Sequence, residues 1–169
     1  MGVLATVVGC SLVGPAPAPA PLRASYVAAL QRYADTPYVW GGESHAGIDC
    51  SGLARRGLIE ALLARGAPRQ ALGLWWRDCT ARELGAGYRG LTRPVCDAPC
   101  LQALDPSGLL PGDLAVTADG RHVLAYLGDR RWIQADPGAQ RVVTHPASAA
   151  NTWHRVPVRV VRWTALSDA

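Results

Sequence analysis

Residues 37–53, PYVWGGESHAGIDCSGL, join a loop to the start of a helix, and Cys50 stands at the junction. Pro37, Gly41, Gly42 and Gly47 keep 35–49 out of regular structure. From Cys50 the run CSGLARRGLIEALLARG predicts a helix that turns Leu53, Leu58, Leu62 and Leu63 to the core and ends at Gly66, a natural C-cap. A cysteine at a helix N-terminus has a chemical consequence. Unpaired backbone N–H groups and the helix dipole favour the thiolate over the thiol, and the thiolate is the nucleophile. Gly41, Gly42 and Gly52 are expected to let a substrate backbone come close. A lone cysteine in such a turn is more often structural, so the rest of the chain must supply its partners.

Upstream, residues 22–34 place Leu22, Tyr26, Ala29, Leu30 and Tyr33 near one helical face. Downstream, GLWWRDCTARELG reads as a short helix, and the remainder of the segment 67–109 reads as loop rich in Gly, Pro and Cys. Trp75 and Trp76 are expected in the core, with the wall of a substrate groove as the alternative. From residue 113 the pattern changes to short β segments: DLAVTA, RHVLAYLG, RWIQAD, QRVVTH and RVPVRVVRW. Asp119-Gly120, Gly128-Asp129 and Pro137-Gly138 separate them as turn signals. Val156, Val158 and Val160 alternate with Arg155, Pro157 and Arg159, which predicts a strand with one buried face. Helices first and antiparallel strands second give an α+β fold, with the helix of Cys50 packed on a C-terminal sheet of about five strands.

The strand half carries candidate partners for the cysteine. A nucleophilic Cys needs a base, and His122 opens the second strand. The base needs an acceptor for its other ring nitrogen, and the Gln134 side chain offers one without adding charge. Hairpin register sets a condition. A three-residue loop, Gly128-Asp129-Arg130, pairs His122 with Asp136 and Leu124 with Gln134, so that Gln134 lies diagonally beside His122. A two-residue Asp129-Arg130 turn by itself sends Gln134 to the wrong face. His45, His145 and His154 have no motif context and are read as exposed or structural.

Composition bounds the rest. The 169 residues suffice for one domain; 49% are apolar and 18% charged, a globular balance. The net charge is +4, and the basic residues, all Arg, are scattered, so a solvated, slightly basic surface is expected and no nucleic acid. No apolar run reaches the ~18 residues of a spanning helix. Residues 1–14 are apolar and small, and 15–21, PAPAPAP, read as a polyproline-type spacer. Val7-Val8-Gly9-Cys10 resembles a bacterial lipobox, although no Lys or Arg precedes the apolar stretch. The organisation is therefore a leader and spacer over 1–21, with Cys10 a candidate lipid anchor, then one domain over 22–169 with an atypical segment at 67–109. Cys96 and Cys100 have a spacing that tolerates a zinc pair, but no second Cys/His pair follows, so no metal is expected. In an exported protein two of Cys79, Cys96 and Cys100 can pair as a disulfide.

Four blocks together carry a resemblance: Pro37-Tyr38-Val39-Trp40-Gly41-Gly42, Gly47-Ile48-Asp49-Cys50-Ser51-Gly52-Leu53, Pro111-Gly112-Asp113-Leu114, and His122-Val123 with Tyr126-Leu127-Gly128. Over roughly residues 25–136 the sequence resembles the NlpC-type cell-wall cysteine peptidases of the papain-like superfamily. The resemblance implies Cys50 as nucleophile, His122 as base and then acid, and Gln134 as the orienting residue. It implies an oxyanion site from the Tyr38 hydroxyl and the Cys50 N–H, and substrate contacts from Asp49, Ser51, Trp40 and Gly41. The implied reaction is hydrolysis of peptidoglycan stem peptides, cut between γ-D-Glu and a diamino acid, by an exported, periplasmic or envelope monomer without cofactor. Two other classes compete: a Cys–His amidase or acyltransferase on another substrate, antibacterial toxins included, and a catalytically silent binding module.

Overall fold

A computed structural model describes residues 16–148 and 150–168; the apolar leader and Cys10 lie outside the described residues. Helix α1 spans Pro19–Gln31, so it begins inside the stretch read as spacer. The prolines sit in its first turn, where a missing N–H costs nothing because no carbonyl precedes it. Helix α2 spans Cys50–Ala64, followed by α3, Pro68–Trp75, and α4, Ala81–Gly85. Two short strands, β1 (Glu43–Ser44) and β2 (Gly47–Ile48), pair as a tight hairpin just before α2.

The main sheet is antiparallel and six-stranded. It contains β3 (Thr92–Ala98), β4 (Leu114–Thr117), β5 (Val123–Gly128), β6 (Arg131–Asp136), β7 (Arg141–Pro146) and β8 (Val158–Trp163), in the order β3-β8-β4-β5-β6-β7. The five segments read from the sequence are all strands. The sixth, β3, lies in the segment read as loop. Pro94 obscures it; β3 is an edge strand, where proline is tolerated, and its ladder to β8 shifts register between Pro94 and Cys96.

Both faces of the sheet are buried. Val123, Ala125, Leu127, Ile133, Ala135, Val161 and Trp163 pack with α1 and α2, while Leu124, Tyr126, Trp132, Val158 and Val160 pack under Leu101, Leu104 and Leu109. The strand expected at 155–163 therefore starts only at Val158 and buries both of its faces; Thr152–Arg155 form a 3₁₀ turn instead. Tyr26, Leu30 and Tyr33 are fully buried as the helical spacing predicts, and the Tyr26 hydroxyl donates to the Ala54 carbonyl (3.0 Å) and accepts from the Trp163 indole N–H (3.1 Å), tying α1, α2 and β8 together. Leu63 departs from expectation: it is 53% exposed, because the turn of α2 near its end carries it past the core stripe. Trp75 and Trp76 also lie outside the core, at 52% and 79% exposure. Among the described residues Cys50, Cys79, Cys96 and Cys100 are all free, so no disulfide joins them: Cys79 is buried at the approach to α4 and Cys96 is exposed on the edge strand.

Candidate active site

The start of α2 is fixed by Asp49. Its Oδ1 accepts from the Gly52 N–H (2.6 Å) and from the Ser51 hydroxyl (3.0 Å), and its Oδ2 accepts from the Gly41 N–H (2.9 Å). This is an N-cap that also clamps the preceding loop. Of the first N–H groups of the helix, that of Gly52 is thus taken. Gly42 and Gly52 serve the chain's own packing, whereas Gly41 has open space around it at the cleft. A Cβ at Gly52 would lie 2.4 Å from the Gly42 carbonyl oxygen, and one at Gly42 would lie 2.5 Å from that of Gly47.

His122 is held from the other side. Its N–H donates to the Thr117 hydroxyl (3.0 Å) across the turn that closes β4 onto β5. The hairpin that follows satisfies the register condition by an unexpected route. Its turn is the two-residue Asp129-Arg130 type, both residues with positive φ, closed by Gly128 opposite Arg131. A bulge between Tyr126 and Gly128 then absorbs one residue, so Tyr126 faces Trp132 and Ala125 faces Ile133. Continued along the strands, that ladder sets Leu124 against Gln134, the pairing the three-residue loop would have given. The outcome is direct: His122 Nε2 and Gln134 Oε1 are 2.7 Å apart, both side chains 1% exposed.

Cys50 and His122 line one cleft of about 860 Å³ with Tyr38, Trp40, Gly41, Asp49 and Ser51. Trp40, 84% exposed, forms part of its rim. Every site residue named from the sequence is therefore in or directly behind this cleft. Sequence reasoning missed the opposite wall, Asp78 to Arg82 at the start of α4, together with Arg121 and Trp153. The Trp153 ring stacks on His122 with centroids 4.2 Å apart. Trp75 and Trp76 do not line the cleft; the Arg56 guanidinium lies over the Trp75 ring at 4.4 Å. Below the cleft the buried Arg55 pairs with Glu43 and donates to the Trp75 carbonyl (3.0 Å), which anchors the loop before α2 to the end of α3.

Burial works against the thiolate that the helix terminus favours. Burial pushes the Cys50 thiol up to about 11; the Val123 N–H and the helix N–H groups oppose this, and the Asp49 charge reinforces it. Burial also pulls His122 down to about 4, against the Gln134 hydrogen bond and the Asp136 and Asp49 charges. For both groups desolvation is the largest effect, and it favours the neutral thiol and the neutral imidazole. With Nε2 on Gln134, Nδ1 is the ring nitrogen this contact leaves free.

Asp113 of the Pro-Gly-Asp-Leu block has a structural role. It is buried, pairs with Arg162 (2.6 and 2.8 Å) and accepts from the Leu110 N–H (2.8 Å).

A sequence profile of the NlpC/P60 family matches residues 35–162. Among solved structures, the peptidoglycan hydrolase RipB from Mycobacterium tuberculosis is 22% identical at a TM-score of 0.57, covering 98% of this chain and 74% of its own. An NlpC/P60 family protein from Bacillus cereus is 21% identical at a TM-score of 0.54 over 88% of this chain, which spans 40% of that protein. NlpC1 from Trichomonas vaginalis is 17% identical at a TM-score of 0.57, covering 92% of this chain and 48% of its own. At these identities the likeness establishes the shared papain-like fold. Comparison with curated protein sequences gives no match.

Proposed function

Because the chain belongs to the NlpC/P60 family, we propose that it is a cysteine peptidase that hydrolyses peptidoglycan stem peptides, at the bond between γ-D-Glu and a diamino acid. The observation that carries this reading is the buried His122–Gln134 contact of 2.7 Å behind a cleft that also presents Cys50 at a helix N-terminus.

In this reading His122 Nδ1 takes the Cys50 proton as Sγ attacks the amide carbonyl, so the thiolate exists only as it reacts. The Cys50 N–H and the Tyr38 hydroxyl receive the developing oxyanion. Gln134 Oε1 accepts from Nε2–H and steadies the imidazolium. His122 then protonates the leaving amine, and a water activated by the same ring releases the acyl-enzyme. Trp40 and Gly41 border the peptide, Asp49 and Ser51 flank the nucleophile, and Arg82 and Arg121 on the far wall match the carboxylates of a stem peptide. We place the protein in the cell envelope as an exported monomer, with the residues before helix α1 as leader and spacer and Cys10 as lipid anchor.

The test is mass spectrometry of L-Ala-γ-D-Glu-diaminopimelate and of intact muropeptides after incubation. Release of L-Ala-D-Glu supports the reading. No cleavage, with Cys50 still open to alkylation, moves the site to an amidase or acyltransferase on another substrate.

A further inference from the structure

We propose that Asp136 and Asn151 are positioning residues that hold His122 in the tautomer presenting an unprotonated Nδ1 to Cys50. The proposal rests on the peptidase reading above for the roles of Cys50 and His122.

Asp136 ends β6, two residues beyond Gln134 and on the same face of the strand. It is buried, and its carboxylate meets three donors: the Gln134 side-chain amide on Oδ2 (3.3 Å), the Asn151 side-chain amide on Oδ2 (2.9 Å) and the Gly138 N–H on Oδ1 (2.8 Å). A carboxylate can only accept. Gln134 must therefore turn its NH₂ toward Asp136, which leaves its oxygen for His122. Without Asp136 the amide could rotate by half a turn and offer NH₂ to His122 instead. The ring would then carry its proton on Nδ1, and no lone pair would face the Cys50 thiol.

Asn151 closes the circuit. Because its NH₂ is committed to Asp136, its Oδ1 accepts from the Trp153 N–H (2.9 Å) and starts the turn Thr152–Arg155. That turn carries the ring stacked on His122. The contacts run from His122 through Gln134, Asp136, Asn151 and Trp153 back to His122. Charged and titratable groups around the ring are Asp136 and Asp49, which favour its cation, His154, which opposes it, and Cys50 in front.

The test uses the full chain and the variants Asp136→Ala, Asn151→Ala, Gln134→Ala and Asp136→Ala/Gln134→Ala. Nitrogen-15 NMR of the His122 ring reads the tautomer, and iodoacetamide reads Cys50; neither needs a substrate. Wild type is expected to show a single Nε2–H form at pH 7, and each single variant a mixture or the Nδ1–H form. On stem peptide, Asp136→Ala is expected to lower kcat/KM by about 10- to 100-fold with KM unchanged. The double variant is expected to be no slower than Gln134→Ala, since Asp136 acts through Gln134. Retention of the Nε2–H form and of wild-type alkylation in both Asp136→Ala and Asn151→Ala overturns the proposal. So does a double variant whose loss is the product of the single losses. If the wild type cleaves no stem peptide, the peptidase reading fails while the tautomer and alkylation measurements still decide this one. If Asp136→Ala does not fold, Asn151→Ala carries the test.

Discussion

Replacing Gly52 and Gly73 by alanine, one at a time, separates the cost of a blocked backbone approach from the gain in helix propensity. Both residues lie in helices, α2 and α3, and a Cβ at either gains up to about 1 kcal/mol from restricting the unfolded chain and favouring helix. At Gly73 the new methyl meets nothing within 4 Å, so the gain stands. At Gly52 it meets the Gly42 carbonyl oxygen at 2.4 Å and Asp49 Oδ1 at 3.1 Å. The first is backbone and cannot swing aside. Overpacking costs about 1–3 kcal/mol, and a backbone clash this close takes the upper half of that range, about 2–3 kcal/mol, so that after a gain of about 1 kcal/mol Gly52→Ala should lose about 1–2 kcal/mol net. For a chain of this size that means a Tm about 3–6 °C lower for Gly52→Ala and about 2–3 °C higher for Gly73→Ala. Thermal unfolding followed by circular dichroism measures both. Because the Gly42 segment continues into Trp40 and Tyr38 at the cleft, stem-peptide hydrolysis should fall in Gly52→Ala and hold in Gly73→Ala. A Gly52→Ala protein as stable as Gly73→Ala would refute the view that position 52 needs glycine for the backbone of Gly42 to pack against it.

Asp49→Ala removes an N-cap and the clamp on Gly41, and should cost about 2 kcal/mol by urea unfolding, with Asp49→Asn recovering at least half; equal stability of all three proteins would deny the cap its role. The protonation of His122 sets an acid limb. Its pKa falls from 6.5 to about 4 on folding, so the unfolded chain binds the proton first. Stability should be full above pH 6.5 and decline by about 3 kcal/mol down to pH 4. His122→Ala should lack that part of the decline, and identical urea midpoints against pH for the two proteins would contradict it. The Cys50 thiol, pushed up to about 11, should react with iodoacetamide at a rate that climbs through pH 9–11; fast, pH-independent alkylation from pH 5 upward would mean a resting ion pair instead.

The parts legible in the sequence were those fixed by local pattern. The apolar face of α1, the start of α2 at Cys50 and the five later strands each follow from periodicity and turn residues a few positions apart. The His122–Gln134 pairing was legible because strand register is arithmetic, although the bulge after Tyr126 that makes it compatible with a two-residue turn was not. What escaped depends on contacts across the chain. Trp153 reaches His122 from a turn between two segments read as strands, and α4 reaches the cleft from 73–85, a stretch read as a short helix with no contact assigned to it. The upward push on the Cys50 thiol escaped for a related reason. A helix terminus is visible in sequence, but burial by distant segments is not, and here burial is the larger effect. Asp136 was seen only as the residue opposite His122, because its three donors come from Gln134, Gly138 and Asn151 after folding.

The account turns on Cys50 acting as a covalent nucleophile, and rapid-quench intact-mass measurement on the stem peptide tests it most directly. The account predicts a transient adduct of the L-Ala-γ-D-Glu acyl group that maps to Cys50, with neither adduct nor product in Cys50→Ala. Product formed by Cys50→Ala at the wild-type rate would contradict it.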